Sequence, residues 1–438
     1  MSNDMSNDMS EERTLLVGVD LCEDVSQITC FNAVTFEPES IGVNGDIDKY
    51  MIPTVLFYKR ETGDWTYGEE AYEWNREENG ILIKGLLDKA SRHDKVLIDG
   101  REYEPEFLME KYFKRLLGLL KMEHPNNTIR SLVVTVREKN MLLIQRIYTA
   151  LQNLGISKVR ANVQSHEQCF VNYAMNQPKE LKVSDMVLFD FDEVGLKYYQ
   201  ISVNRRTDPH TVLLKKRDFS EILPYQMLLD ESNMENAAYL FESLSQNALH
   251  KQIVSTIYVT GKGFQGNWYK DALKKMCIGR RVFAGQNLYA KGAGYAARES
   301  VGEGKLKEYL YLGEEMISVN ISMPLFANGV EQECVLVEAG TAWYNAATTV
   351  SFIPDEEIEI ELIFEHVTEQ QTEHHFISLD GLWNMNRKTR VEMTIDFLDV
   401  NTCIVRVNDR GFGEMIPSSN RVWEKEIQIC SHQKKNEV

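Results

Sequence analysis

Apolar residues recur along this chain in two rhythms, and the change between them divides it. Up to about residue 307, short apolar runs such as 15–19 and 131–136 alternate with segments whose apolar residues recur every three or four positions. The short runs are typical of buried strands, and the longer period is typical of amphipathic helices, most clearly over 107–122. Strands alternating with helices predict a mixed or largely parallel sheet with covered faces.

The pattern restarts at residue 186, which predicts a second α/β half. From about residue 309 the apolar positions alternate in short runs separated by turn residues such as Asn328-Gly329 and Asp380-Gly381. That texture predicts an all-β sandwich. The predicted organisation is therefore α/β followed by all-β: a disordered tail (1–12), a first α/β half (13–185), a second α/β half (186–307), a β-sandwich (308–430) and a charged tail (431–438).

The net charge and the cysteine content limit the cellular compartments and the classes of binding partner that the sequence favours. The 438 residues carry a net charge of −18, which argues against nucleic acid and against an anionic membrane surface. The chain has seven cysteines and no C-x-x-C pair, which indicates free thiols in a protein of a reducing compartment. Since no apolar stretch approaches a membrane span and no signal segment is recognisable, we expect a cytoplasmic protein.

Two strand ends carry unusual acidity. The apolar run 17–21 contains Asp20 and continues into Cys22, Glu23 and Asp24, and the run 187–191 contains Asp190 and continues into Asp192 and Glu193. Each run is followed by a turn and a second apolar run, which predicts two β-hairpins with acidic turns.

The order of these segments resembles that of the DnaK-type heat-shock chaperones, which belong to the actin-like ATPase superfamily, without their helical lid. The resemblance spans residues 13–430 and depends on the order of the motifs, since no single motif is specific. The matching segments of the α/β part are 17–21, 50–55, 67–71, 133–138, 257–264 and 290–297, and those of the β part are 338–343, 377–382, 391–397 and 403–407.

The resemblance implies an actin-like, two-lobed nucleotide-binding fold followed by a peptide-binding β-sandwich. It implies ATP with Mg²⁺ as the ligand, with Lys84 and Asp190 as candidate catalytic residues. The sandwich implies protein or extended peptide segments as partners. By the same resemblance, the candidate nucleotide-binding residues are Asp20, Ser26, Asp190, Gly261, Gly263 and Gly292.

Two departures from the family pattern weaken the ATPase interpretation. The stretch between Asp190 and Gly261 is shorter than in the family, and both phosphate turns are acidic where the family has Gly and Thr. A carboxylate about 5 Å from a phosphate charge costs roughly 3 kcal/mol at an effective dielectric near 20. The sequence therefore predicts a catalytically degenerate, protein-binding or scaffolding module. An atypical but active ATPase is the alternative.

A divalent-cation site is a further alternative, because a convergence of the two acidic turns would produce an oxygen-rich cage of the kind that Ca²⁺ prefers. No spacing like an EF-hand loop supports it, and solvated turns also account for the acidity. A second group, Glu365, His366, His374 and His375, offers transition-metal ligands. A solvated polar loop between two strands also accounts for these residues. The candidate ligands at the turns are Asp20, Glu23, Asp24, Asp190, Asp192 and Glu193.

Nucleophilic catalysis has little support in the sequence. No G-x-S-x-G or P-loop motif is present, and Cys22 stands beside acidic residues that disfavour a thiolate.

Overall fold

The computed structural model describes residues 14–429 except 47, 328, 355–358, 382–388 and 415. It divides into two compact units: residues up to Ile201 with Lys215–Leu306, and Ser202–Leu214 with the residues from Lys307 onward. The predicted tails 1–12 and 431–438 lie outside the described residues, as do Cys430 and the first residue of the predicted Asn328-Gly329 turn.

The strands up to residue 306 are mostly short. They are β1 (Thr14–Leu21), β2 (Val25–Asn32), β3 (Glu37–Ser40), β4 (Ile52–Pro53), β5 (Leu56–Lys59), β6 (Trp65–Tyr67), β7 (Gly80–Ile83), β8 (Val96–Ile98), β9 (Arg101–Tyr103), β10 (Thr128–Val136), β11 (Ala161–Ser165), β12 (Asp185–Asp192), β13 (Gly195–Asn204), β14 (His210–Asp218), β15 (Val254–Thr260) and β16 (Arg281–Ala284).

Helices separate these strands. They are α1 (Gly68–Glu77), α2 (Leu86–Arg92), α3 (Pro105–Glu123), α4 (Met141–Asn153), α5 (His166–Asn176), α6 (Met234–Leu249), α7 (Lys270–Met276) and α8 (Leu288–Ser300). None of the helices in the described part of the chain is both long enough and apolar enough to cross a bilayer.

Strand β1 lies inside the first sheet, whose order is β11-β10-β1-β2-β3, with β4 beside β2. It runs antiparallel to β2 and parallel to β10, which in turn runs parallel to β11. Every residue of β1 after Thr14 is buried. The continuous apolar run of β1 follows from its central position, where neither face meets water.

The second sheet repeats this topology in the order β16-β15-β12-β13-β14. Strand β12 runs antiparallel to β13 and parallel to β15, and β15 runs parallel to β16. Asp20 and Asp190 occupy corresponding places near the carboxyl ends of the two central strands. Each is paired with a threonine of the neighbouring parallel strand, Thr135 for Asp20 and Thr260 for Asp190.

Helix α8 packs against α5 and against β1, β2, β3 and β10. The contact is close enough to require glycine. A Cβ on Gly292 would lie 2.1 Å from the carbonyl oxygen of Cys169 in α5, and a Cβ on Gly18 of β1 would lie 2.3 Å from the amide nitrogen of Gly294. The helix is therefore in backbone contact with both neighbours, and its position is sharply defined.

The second unit is a β-sandwich. Its sheets have the orders β19-β18-β21-β22 and β20-β23-β24-β25, and β17 pairs in parallel with the first residues of β14. Residues of both four-stranded sheets, among them Leu362, Phe364, Met393 and Val405, form one apolar core. The strands are β17 (Tyr309–Leu312), β18 (Val319–Ala327), β19 (Val330–Val337), β20 (Thr348–Phe352), β21 (Glu359–His366), β22 (Gln371–Ser378), β23 (Val391–Asp399), β24 (Thr402–Asp409) and β25 (Val422–Gln428).

The predicted class, α/β followed by all-β, is confirmed at this level, whereas some predicted boundaries are wrong. The alternating run 159–163 predicts a strand by its sequence. Strand β11 begins two residues later, because a turn closed by the Arg160 N–H on the Ser157 carbonyl precedes it. The run 28–34 likewise predicts a strand that reaches Val34. Strand β2 ends at Asn32, because the Asn32 side-chain oxygen accepts from the Val34 amide and starts the turn.

Candidate functional site

Asp20, at the end of β1, is buried and lies beside two polar side chains. Its Oδ1 is 2.8 Å from His166 Nε2 and accepts from the Cys22 thiol at 3.5 Å. His166 is placed by the start of α5, where Ser165 and Gln168 form a capping box around the first turn. The N-terminus of α5 thus places the His166 imidazole at the carboxyl end of β1.

Asp190, at the end of β12, is buried too and has its own partners. The Tyr289 hydroxyl of α8 donates to Oδ2 at 2.7 Å, and an Arg137 guanidinium nitrogen lies 3.7 Å from the same oxygen. Burial, and secondarily the Asp190 charge, raise the pKa of Tyr289 well above its usual value. The tyrosine therefore remains a neutral donor.

A ring stack joins these two groups. The His166 and Tyr289 rings lie 3.8 Å apart between centroids and 16° from parallel. Asp20, His166, Tyr289 and Asp190 thus form a continuous chain of contacts, here called the polar bridge, between the central strands of the two sheets. Both aspartates singled out by the resemblance are already engaged by side chains of the protein itself.

The remaining acids of the first turn point elsewhere. Glu23 Oε2 accepts from the Asp88 amide at 3.0 Å, in the first turn of α2, and burial raises the pKa of the Glu23 carboxyl. Asp24 Oδ1 accepts from the Val25 amide at 2.8 Å. These two acids therefore act as turn and helix caps.

The acids of the second turn are held by cations. Asp192 forms an ion pair with Arg137, and its other oxygen accepts from the Val194 amide at 3.0 Å. Burial, and then the neighbouring Asp190, raise the pKa of Asp192 to about 6, although Arg137 opposes the change. Glu193 is exposed and lies 2.5 Å from the Lys262 ammonium.

The six predicted carboxylate ligands consequently do not converge into one oxygen cage. Lys262 is also 3.6 Å from Asp24, so one lysine neutralises an acid of each turn. The acids separate into four environments: Asp20 with His166, Asp190 and Asp192 with Arg137, Asp24 and Glu193 with Lys262, and Glu23 with α2.

The other predicted nucleotide-site residues have structural partners. Lys84 is exposed, with its ammonium 5.0 Å from the centroid of the Tyr72 ring. The buried Ser26 hydroxyl is 2.8 Å from that of Thr54. A Cβ on Gly261 would lie 2.3 Å from the Phe191 carbonyl oxygen, and one on Gly263 would lie 2.6 Å from the Phe191 ring. Together with Gly292, these glycines are explained by close packing.

Sequence reasoning missed Arg137, His166 and Tyr289. Arg137 directly follows β10, which lies beside β1, and His166 directly follows β11, which lies beside β10 in the same sheet. Since carboxyl ends of parallel strands share one edge of a sheet, the strand order was the signal that would have found both. No local motif marks Tyr289.

The Asp20, Cys22 and His166 group is not arranged as a nucleophile with its base. The same imidazole nitrogen, Nε2, faces both the carboxylate and the Cys22 sulfur, which is 3.7 Å away. A catalytic triad uses opposite ring nitrogens for these two partners. Burial, followed by the Asp20 charge, raises the pKa of Cys22 well above its usual value. In the metal-free protein, nucleophilic thiolate chemistry at Cys22 is therefore disfavoured.

The histidines considered as metal ligands in the second unit are divided by strand alternation. Glu365 and His374 are directed to one face, where they contact Asn320 and Glu361. His366 is buried and lies 3.7 Å from Glu373, which His375 approaches at 3.5 Å. Adjacent positions in a strand face opposite sides, so these four side chains do not share a site, in agreement with the preferred interpretation, in which they bracket a polar loop.

A cavity of about 1720 Å³ lies on the first unit, away from the polar bridge. It is lined by residues of the segment before β4, of β6 and α1, and of one face of α3, including Tyr50, Lys111 and Arg115. No residue of the polar bridge lines it.

Comparison with known protein families finds a match to most of the first unit. The profile of a family of unknown function, the DUF5716 C-terminal region, matches residues 37–314, more than half of the chain. The chain belongs to this family. A domain of unknown function, DUF8552, matches residues 316–429, which include most of the β-sandwich. A search of curated proteins found no match. Within the polar bridge, the family match includes His166, Asp190 and Tyr289 but begins after Asp20.

Proposed function

We propose that this protein is a binding or scaffolding module built on an actin-like, heat-shock-chaperone-like framework and that it does not hydrolyse ATP. Two α/β sheets of one topology, each with an aspartate near the end of its central strand, support the actin-like part of the proposal. The β-sandwich that follows supports the chaperone-like part.

The polar bridge is the observation that supports the proposed loss of ATPase activity. A phosphate and its Mg²⁺ placed between Asp20 and Asp190 would have to displace Tyr289 or His166 from these carboxylates. Leaving a buried carboxylate without such a partner costs about 1–3 kcal/mol. Micromolar affinity corresponds to about 8 kcal/mol, so displacing both Tyr289 and His166, at about 4 kcal/mol together, would reduce nucleotide binding to roughly millimolar.

The partner that we propose is an extended protein segment bound to the β-sandwich. Strand β19 is an edge strand, and it pairs only with β18 within the described part of its sheet. Its first four residues are exposed, as is Val335 further along. An extended segment adds to such an edge through main-chain hydrogen bonds.

An atypical ATPase is the second candidate, favoured by the retained pair Asp20 and Asp190 and the threonine beside each. Calorimetric titration with Mg·ATP and a phosphate-release assay separate the two. We expect no saturable binding up to about 1 mM and no turnover. Turnover that Asp190→Asn abolishes, while the exposed control Asp271→Asn leaves it intact, would overturn the proposal.

The binding half of the proposal has its own test. A panel of labelled extended peptides is screened by fluorescence polarisation against the whole protein. We expect Val335→Pro to abolish the binding of any peptide that the wild type binds, because proline removes a strand N–H. Val350→Pro, in the edge strand β20 of the other sheet, is the matched control. Equal loss in both variants, or no peptide bound at all, would contradict an edge site on β19.

A further inference from the structure

Three different ligand atoms meet at the end of β1. Asp20 Oδ1, Cys22 Sγ and His166 Nε2 lie within 4.8 Å of one another. The separations are 3.5 Å from sulfur to oxygen, 3.7 Å from sulfur to nitrogen and 2.8 Å from nitrogen to oxygen.

Two of these three separations match edges of a zinc tetrahedron. Zinc bonds of about 2.3 Å to sulfur and 2.0–2.1 Å to nitrogen and oxygen, at tetrahedral angles, give edges of about 3.5, 3.6 and 3.3 Å. The two edges that involve sulfur already agree with the structure. The nitrogen–oxygen edge is short by about 0.5 Å, which a rotation of the Asp20 carboxylate supplies.

We propose that Asp20, Cys22 and His166 bind Zn²⁺ through these atoms, with water as the fourth ligand. The mixed oxygen, sulfur and nitrogen set suits zinc and excludes a Ca²⁺ or Mg²⁺ preference, because those ions take oxygen ligands. This site is distinct from the six-carboxylate cage, with which it shares only Asp20.

Binding is balanced in charge. The thiol proton of Cys22 passes to solvent as the sulfur–zinc bond forms, so one thiolate and one carboxylate offset the two charges of the ion. The nearby Arg137 guanidinium adds little repulsion, because Asp190 and Asp192 already neutralise it.

The position of the His166 imidazole is fixed by its surroundings. His166 is 3 % exposed, and its ring stacks on Tyr289. Its other nitrogen, Nδ1, is buried without a hydrogen-bond partner among the described residues. In the metal-free protein the 2.8 Å contact with the Asp20 carboxylate places the imidazole proton on Nε2. Zinc binding therefore requires this proton to move to Nδ1, for which no described residue forms a competing hydrogen bond. A bound ion would tie the first turn to the start of α5.

The test uses the full chain and does not depend on nucleotide binding. Protein dialysed against a chelator is titrated with Zn²⁺ in the presence of a chromophoric competitor, and separately with Co²⁺, whose thiolate absorption reports a metal–sulfur bond. We expect one ion per chain and a cobalt–thiolate band. Cys22→Ser should abolish that band, and Asp20→Asn and His166→Gln should each weaken zinc affinity at least tenfold.

Cys277→Ser is the matched control, since Cys277 is an exposed thiol of the same unit. It should bind zinc like the wild type. Circular dichroism before each titration identifies any variant that does not fold. If Cys22→Ser or His166→Gln does not fold, the zinc affinity of the conservative variant Asp20→Asn decides between the outcomes. Absence of stoichiometric zinc, or a cobalt–thiolate band that survives Cys22→Ser, would overturn the proposal. A failure here leaves the proposed lack of ATPase activity untouched, and the reverse also holds.

Discussion

Replacing Gly292 by alanine tests the tightest contact in the first unit. The added methyl would lie 2.1 Å from the Cys169 carbonyl oxygen and 2.7 Å from its carbonyl carbon. Both are main-chain atoms of α5, so no side-chain rotation relieves the overlap. Helices α5 and α8 would have to separate by about 1 Å or more, because close-packed interiors have no spare volume.

The expected magnitude follows from two opposing contributions. Alanine in a helix interior gains about 0.5–1 kcal/mol over glycine. Overpacking a close-packed contact costs about 1–3 kcal/mol and occasionally more. Gly118→Ala in α3 isolates the first contribution, since a Cβ there has no atom within 4 Å. We expect Gly118→Ala to stabilise the protein and Gly292→Ala to destabilise it.

Urea unfolding followed by circular dichroism measures both variants against the wild type. The midpoint should rise for Gly118→Ala and fall for Gly292→Ala. Near-ultraviolet circular dichroism should also change only for Gly292→Ala, since a shifted α8 moves Tyr289 off His166. Equal stabilisation by the two substitutions would refute the backbone contact between α5 and α8.

Two further predictions concern the polar bridge and its neighbour. The pKa of Asp192 is raised from 3.8 to about 6, so the folded state keeps this proton longer and stability falls as pH rises through that window. The free energy of unfolding should fall by about 3 kcal/mol over this window. Urea midpoints of the wild type and of Asp192→Asn, measured from pH 4 to 7, should differ by an amount that changes with pH. A difference that stays constant with pH would contradict the prediction. Tyr289→Phe keeps the ring stack but leaves Asp190 without its hydroxyl donor, which should cost about 1–3 kcal/mol in the same assay. Tyr239→Phe, at a position 70 % exposed, should cost almost nothing, and equal costs for the two would contradict a buried bond at Tyr289.

The sequence was most informative where local periodicity was strong. The amphipathic pattern of 107–122 identified α3, and the alternation after residue 309 identified most of the strands of the β-sandwich. Both signals arise because one face of an element is buried and the other is not. Boundaries were less predictable, because they depend on turn hydrogen bonds such as that of Asn32, which compete with strand pairing.

The site was only partly accessible to the same reasoning. The strand ends containing Asp20 and Asp190 were visible as apolar runs that finish in acids. The side chains that meet them come from α5, from α8 and from the end of β10, far away along the chain. A grouping of that kind is created by strand order and helix packing, for which a single sequence has no local signature. The acids therefore suggested an oxygen cage, whereas the fold supplies arginine, lysine and histidine to separate them.

The central position of β1 has a consequence for how the protein is made. Asp20 lies opposite Thr135, so one edge of the β1–β2 hairpin has no partner until β10 has left the ribosome. At about 5–20 residues per second, synthesis of the intervening chain takes on the order of ten seconds. During that time a strand rich in valine and leucine exposes its main-chain donors and acceptors. Until β10 is made, the exposed edge of this hairpin is open to non-native strand pairing, and we expect the pairing of early with late residues to slow folding.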